Sequence, residues 1–174
     1  MKNLKLLTFI IFFFLTFTKL AFPEDKIAII DLDMLLEKTI YGKKIITDLN
    51  SLNEQNLKLL KKIENEIKLN QDDIKKQKNL LSDEELKKKV NKLNSDIVEF
   101  QKKKNNLVSN YNLEKKNKLD DFFKKIIPEI EKYIDEQNIS LVFDKKNTFI
   151  VNKKKNITDE IVKIIDNKIK WAKH

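Results

Sequence analysis

The first strongly patterned stretch of the chain, Lys26-Ile27-Ala28-Ile29-Ile30-Asp31, is an apolar run bounded by charges, the signature of a strand buried on both faces. A short helical segment follows from Asp33 to about Thr39, with Asp33 as N-cap and Met34, Leu35 and Leu36 supplying apolar surface. Gly42, the chain's one glycine, marks a bend or a close approach of two elements. From Lys43 to about Leu81 the period becomes helical. Alternating steps of four and three visit Asn56, Leu60, Ile63, Ile67, Asn70, Ile74, Gln77 and Leu81, of which five of eight are apolar. The same walk then visits Leu86, Val90, Leu93, Ile97, Phe100, Lys104, Leu107, Tyr111 and Glu114. Seven of these nine are apolar, which sustains a heptad.

Between the two walks, Ser82 followed by Glu85 forms a capping-box sequence, so a new helix opens there and the chain reverses. Two long helices joined by a short turn make an antiparallel hairpin on the order of 55 Å long at 1.5 Å per residue. Each helix offers its partner one apolar stripe, so the hairpin projects as an arm rather than folding into a globule. Asn56, Asn70, Gln77 and Lys104 put polar groups into the seam and weaken it. The second helix runs past Phe122 and Phe123 to Pro128, where a kink or break is expected because proline removes a backbone donor. Beyond it, Ile139 to Asp144 and Thr148 to Val151 are β-rich runs separated by Lys145-Lys146-Asn147, predicting a hairpin. Asn156 then caps a last helix with acidic first-turn residues and a stripe of Ile161, Ile164, Ile165 and Ile169.

The predicted fold class is α+β: a coiled-coil arm over residues 43–127 inserted into a small β-strand body of residues 23–42 and 128–174. For the first strand to pair with the later ones, the arm must leave the body and return. A body of about 70 residues split between the two ends is small for a self-sufficient core. Oligomerisation through its strands is expected, with Ile27, Ile29, Ile30, Leu141, Phe143, Phe149 and Val151 as the core and interface residues.

Composition supports long helices: 36% of residues are charged, with one glycine and two prolines. Upstream, Lys2 and Lys5 precede an apolar run from Leu6 to Phe17 that only Thr8 and Thr16 interrupt. That run is about a dozen residues, the size of a signal-peptide core and short of the roughly 20 a membrane-spanning helix needs. A signal peptide over residues 1–22 and export to the periplasm are predicted. The alternative is an uncleaved anchor, because Lys19 to Pro23 offers Ala21 but no pair of small residues at cleavage spacing. The absence of cysteine is compatible with an oxidising compartment.

Charge narrows the function classes. The net charge of +9 falls to +6 once Lys2, Lys5 and Lys19 are set aside, and every basic residue is lysine. Bidentate reading of guanine or phosphate recruits arginine, so nucleic acid is not an expected partner. The only histidine is His174, and one glycine cannot build a phosphate loop. A serine triad, a histidine metal site and a cofactor are therefore not expected, and neither is enzymatic activity. Asp72-Asp73 and Asp120-Asp121 read as solvated helix faces. Phe100, Tyr111, Phe122 and Phe123 read as seam or body core. Between Lys58 and Lys104 there are 14 lysines and 9 acids, a net of +5, with runs at Lys87, Lys88, Lys89 and at Lys102, Lys103, Lys104. Such a surface is a solvated helix exterior or an electrostatic trap for acidic chains and anionic headgroups, and the two lysine runs are the candidate client contacts.

Three patches together resemble the Skp/OmpH family of periplasmic chaperones over essentially the whole chain after residue 22. They are Lys26 to Asp31, the glycine-lysine step Tyr41-Gly42-Lys43-Lys44, and the closing series from Ile139 to Asp144 through Thr148 to Val151 and on to Ile157-Thr158-Asp159-Glu160-Ile161-Val162. The resemblance implies a homotrimer whose strands form a common β body with three arms around a cavity. It also implies an ATP-independent holdase that keeps unfolded outer-membrane β-barrel proteins from aggregating. Anionic lipid or lipopolysaccharide is a further ligand class it suggests. Two positions depart from the family pattern: Asn156 stands where an acidic residue is common, and the arms lack arginine. The first is compatible with capping, and the second puts any residue-specific lipid site in doubt. The rival reading is a membrane-tethered coiled-coil adaptor of the cell envelope, distinguished by whether the signal is removed and by what binds the arms.

Overall fold

The computed structural model describes residues 26–168. The expected signal peptide, the residues up to Asp25 and Ile169 lie outside the described residues. The chain runs β1 (Ile27–Ile30), α1 (Leu32–Lys38), α2 (Ile40–Gln77), α3 (Asp83–Glu136), β2 (Leu141–Asp144), two single-turn 3-10 segments (Lys145–Asn147 and Lys153–Lys155) and α4 (Thr158–Lys168).

β1 and β2 pair in parallel, with Ile27 opposite Leu141 and Ile30 opposite Asp144. Parallel strands need a long crossover. Here the crossover is the whole of α1, α2 and α3, so the arm leaves the body and returns as the sequence required. The other edge of β1 is occupied at one point, where Ile29 bridges Asn156 and the Ile157 N–H donates to the Ile29 carbonyl at 2.9 Å. One face of the sheet, carrying Ala28 and Ile30, turns inward. Its core companions are Leu35 of α1, Ile45 and Leu49 of α2, Phe122, Ile126 and Ile130 of α3, and Ile161 and Ile165 of α4.

Several sequence expectations need correction. The N-cap of α1 is Asp31, not Asp33: its Oδ1 accepts from the Met34 N–H at 3.0 Å, while Asp33 sits in the exposed first turn. The cap lies two residues earlier because the strand ends directly in the helix. Thr148 to Val151 forms no strand, so the hairpin is absent. Asp144 and Asn152 instead cap 3-10 turns through their side chains, and in a single chain the run between them has no partner strand. Pro128 does not break α3, which continues to Glu136. The lost hydrogen bond and ring clash cost ~3 kcal/mol. Burial of Ile126 and Ile130 on either side, at roughly 1.5–3 kcal/mol for each fully buried side chain, is enough to offset it. The boundary expected at residues 127 and 128 therefore falls inside a continuous helix.

The hairpin arm forms as expected. α2 has 38 residues and α3 has 54, about 57 and 81 Å at 1.5 Å per residue; the excess of α3 carries it down into the body. At the tip, Ser82 and Glu85 make the predicted capping box, with the Ser82 N–H donating to Glu85 Oε2 at 3.1 Å. These bonds hold the Glu85 carboxyl below its usual range. The seam of α3 keeps the expected phase at Leu86, Leu93, Phe100, Leu107, Tyr111 and Glu114 and departs from it at three steps: Lys104 is exposed, and Lys89 and Asp96 stand in for Val90 and Ile97. Leu86, Lys89, Leu93, Asp96, Phe100, Leu107, Tyr111, Glu114 and Lys118 are its half-buried positions, whereas Val90 and Ile97 are 37% and 40% exposed. The walk chose the apolar neighbour at each step, and the helices chose Lys89 because it reaches across to Asp73 at 3.2 Å and Gln77 at 2.8 Å.

Candidate functional site: the arm, its root and the outer face of the body

From residue 50 to residue 121 no described side chain is buried. The arm thus offers its seam partly to solvent along its whole length. Clefts open between α2 and α3, one lined by Ile63, Ile67, Asn70, Lys92, Phe100 and Lys103, another near the body by Leu52, Asn56, Leu107, Tyr111, Glu114 and Lys118. Elsewhere on the two helices, Leu57, Leu69, Val98, Val108 and Leu113 are each more than half exposed. Single exposed aliphatics are ordinary on proteins. These five stand on different faces of the two helices, and with the clefts they leave apolar area uncovered along the arm.

The two lysine runs are differently placed. Lys88 pairs with Glu84 at 3.1 Å and Lys89 is drawn into the tip through Asp73 and Gln77. Lys102, Lys103 and Lys104 are exposed and make no ion pair with a described residue. The run nearer the tip is therefore partly structural, and the mid-arm run faces solvent with its charge available. Of the carboxylates expected on solvated faces, Asp72 and Asp120 pair with Lys75 and Lys116 on the helix surface, whereas Asp73 reaches across to Lys89 and Asp121 is half-buried at the root of the arm. Among the described residues no group of three or more His, Cys, Asp or Glu is placed to hold a metal, and no helix is long and apolar enough to cross a membrane.

At the root of the arm a polar and aromatic cluster joins α2 to α3. Tyr41 Oη donates to Asp121 Oδ2 at 2.8 Å, and Lys125 Nζ donates to the same oxygen at 2.7 Å. The Lys125 ammonium also lies 5.1 Å from the centre of the Tyr41 ring, within reach of a cation–π attraction. The Tyr41 ring stacks on the buried Phe122 at 6.1 Å, and Phe123 meets Phe122 edge-on at 5.3 Å. Lys125 and Tyr41 together hold the Asp121 carboxyl below its usual range, while Asp121 raises Lys125. Burial, and then the bond to Asp121, pushes the Tyr41 phenol up. Sequence reading found Phe122 and Phe123 but missed this cluster. Asp121 and Lys125 stand four apart, and Tyr41 is far from both in sequence, so nothing local ties it to them.

The body residues named from sequence divide in two. Ile29 and Ile30 are buried; Ile27, Leu141 and Phe143 lie on the outer face of the sheet, each between a third and a little over half exposed. Phe149 is not in the core of the single chain: it is 99% exposed and its neighbour Ile150 80%, while Val151 is half-buried. The strand expected there would have packed Phe149; the turns that replace it leave the ring without a neighbour. The outer face is rimmed by Lys145 and Lys146, which pair with Asp31 at 2.9 Å and Asp33 at 3.5 Å. Lys145 holds the Asp31 carboxyl below its usual range and is itself raised in return.

The family model described as outer membrane protein (OmpH-like) matches residues 26–165. Among solved structures, a Caulobacter crescentus chain assigned as an OmpH-like outer membrane chaperone is similar, with a TM-score of 0.75 and 16% identity; the match covers 87% of this chain and 89% of that one. At that identity the likeness speaks for the fold. No curated protein matches the sequence.

Proposed function

Because the chain belongs to the OmpH-like outer membrane protein family, we propose that it is an exported, ATP-independent holding chaperone of the periplasm. Its clients would be unfolded outer-membrane β-barrel chains. The observation that carries this reading is the arm: two helices with no buried side chain over residues 50–121, exposed aliphatics and an unpaired lysine run. An arm of this kind gives many weak and interchangeable contacts. Apolar patches take up the exposed apolar side chains of a client, lysine stems add area, and ammonium groups draw in acidic segments or anionic headgroups. Contacts that are individually weak suit a client that must later be released. Enclosure and transient contact need neither nucleotide nor catalysis.

The body supplies assembly. Ile27, Leu141 and Phe143 on the outer face of the sheet, and Phe149 and Ile150 in the segment that follows β2, are apolar side chains that a single copy leaves to water, and a homotrimer joined through them would cover them. Arms projecting from one body would then surround a common space. The test is to dilute a urea-unfolded β-barrel membrane protein into buffer with and without an excess of this protein and to follow light scattering. Suppression without added ATP is expected; undiminished scattering overturns the holding role. Sedimentation of the chain alone should give three copies, and Phe149→Asp with Ile150→Asp should give one.

A further inference from the structure

The two larger clefts of the arm repeat one arrangement. Near the body, Leu52 and Asn56 of α2 meet Leu107 and Tyr111 of α3; at mid-arm, Ile63, Ile67 and Asn70 of α2 meet Phe100 of α3. Each cleft thus combines aliphatic side chains, one aromatic ring from α3 and one asparagine from α2. The apolar members are all half-buried, so each floor is partly covered and open to water. The two are equal in volume, about 470 Å3 each. Asn56 and Asn70 stand fourteen residues apart, as do Leu52 and Glu66 on α2 and Asp96 and Asn110 on α3. Fourteen residues are two heptads, the period of the seam itself, so both clefts open on the same side of the hairpin. At 1.5 Å per residue they are about 21 Å apart. Leu59, one heptad from Leu52 and 38% exposed, lies between them on that side.

Charge at the rims narrows what can fit. At mid-arm, Lys92 and Lys103 stand among Glu66, Asp96 and Glu99; near the body, Lys118 pairs with both Asp48 and Glu114 at 3.5 Å. Neither rim carries the positive excess of the arm as a whole, so these clefts favour an uncharged occupant over an acidic one. No described residue bonds the carboxamide of Asn56 or of Asn70. Each keeps a donor and an acceptor, the complement of a peptide unit. An extended chain rises about 3.3 Å per residue, so 21 Å corresponds to about six residues. Six is an even number, and side chains six apart on an extended chain point to one face. A transmembrane β-strand alternates apolar and polar residues over roughly 9–11 positions, enough to span both clefts.

We propose that this side of the arm is a two-point groove for a single transmembrane-strand segment of an unfolded β-barrel chain. The segment lies extended along the seam, with apolar side chains six residues apart seated in the two clefts and its main chain bonded by Asn56 and Asn70. A helical segment advances 1.5 Å per residue and would bring no side chain of the same short stretch to the second cleft. A strand already paired in a sheet has no free main-chain groups to offer. The groove therefore selects the unfolded state by its geometry and reads alternation rather than sequence. It rests on the holding function proposed above and specifies what is held. Two weak anchors on one segment add through effective concentration, yet each lifts off alone, which keeps release easy.

The test uses two fluorescein-labelled peptides of Thr and Gln, about ten residues long, each with two phenylalanines. In one they stand six residues apart; in the other they stand two apart, on the same face but too close to reach both clefts. Titration with the full chain, followed by fluorescence anisotropy, should show the first binding on the order of tenfold more tightly. Phe100→Ser in the mid-arm cleft and Leu52→Ser in the cleft near the body should each remove that advantage. Val98→Ser, which lines neither cleft, should keep it. Far-UV circular dichroism reports whether the helices persist. Should Phe100→Ser lose helicity, Asn70→Lys on the exposed rim of the same cleft takes its place. Equal affinities for the two peptides, no binding of either, or an advantage that survives both cleft variants overturns the groove. Suppressed scattering together with equal peptide affinities would leave the holding role standing without it.

Discussion

In the body, Phe122, Ile126, Leu35, Ile45, Ile161 and Ile165 are sealed from solvent, whereas in the arm the seam residues Leu60, Ile63, Ile67, Leu93 and Phe100 are only half covered. The residue types are alike; the number of neighbouring elements differs. Around Phe122 four helices and a sheet converge, and in the arm each helix has one partner. The body therefore owes its stability to burial and the arm to helix continuity, with local ties at its two ends. Substitution tests the difference most severely. Phe122→Ala should cost about 3–5 kcal/mol, the range for a buried phenylalanine. Phe100→Ala, the same change in the arm, should cost about 1–2 kcal/mol because its ring already meets water. Urea unfolding of the two variants, followed by circular dichroism, measures both; equal losses would erase the distinction between the regions.

A smaller effect concerns the junction. Gly42→Ala places a methyl where the Leu36 backbone already is. That backbone cannot yield like a side-chain tip, so α1 and α2 must part, at the ~1–3 kcal/mol typical of overpacking. Hydrogen exchange should then rise at Leu35 and Ile45 while the amides of mid-arm residues such as Lys62 and Lys103 keep their protection. A rise confined to the arm would place the stress on the wrong side of the root.

How much of this was legible in the sequence follows from the same contrast. Local chemistry was readable: the capping box at Ser82 and Glu85, the stripe of Ile161 and Ile165, the close approach at Gly42. The two-helix arm was readable because its period runs for many turns. The seam was readable at Leu86, Leu93, Phe100, Leu107 and Tyr111 but not at the steps between them, where hydrophobicity at Val90 and Ile97 outvoted a lysine whose reach to Asp73 no local pattern reveals. The Thr148 to Val151 run read as a strand from its β-branched residues, but strand formation is a property of pairing, and one chain supplies no partner there. Pro128 read as a break because packing on Ile126 and Ile130 is tertiary. The root cluster lay out of reach for the same reason.

Acid should separate the two regions next. The carboxyls of Asp31, Asp121 and Asp159 are held below their usual range by Lys145, Lys125 and Lys38 respectively. A carboxyl depressed in the folded state contributes stability that is present above its unfolded value, about 3.9 for aspartate. That stability is lost as pH falls through the lower folded value. Glu85 behaves alike, but its loss only frays the arm tip. Lowering the pH from 5 to below 3 should thus loosen the joints of Asp31 with Lys145 and Asp121 with Lys125, with the mid-arm helices following only when the root gives way. Asp31→Asn should flatten the acid limb of the body's unfolding midpoint; an unchanged limb would mean that these pairs carry no stability.

The smallest effect on stability divides the two lysine runs within the arm itself. Changing Lys102, Lys103 and Lys104 together to Gln removes three charges that no described carboxylate uses, so the unfolding midpoint should move by no more than about 0.5 kcal/mol, as for ordinary surface changes. The rate of association with an unfolded client should fall, and its dependence on salt should weaken, because steering at long range depends on net charge. Changing Lys87, Lys88 and Lys89 removes the same charge but also the bonds from Lys89 to Asp73 and Gln77 and the pair of Lys88 with Glu84. Hydrogen exchange at the tip should therefore accelerate in the second variant and not in the first, while both lose association rate. If association rates are unchanged in both variants from low to physiological salt, the lysines are solvated helix surface, and the exposed aliphatics such as Leu57, Val98 and Val108 must do the holding alone.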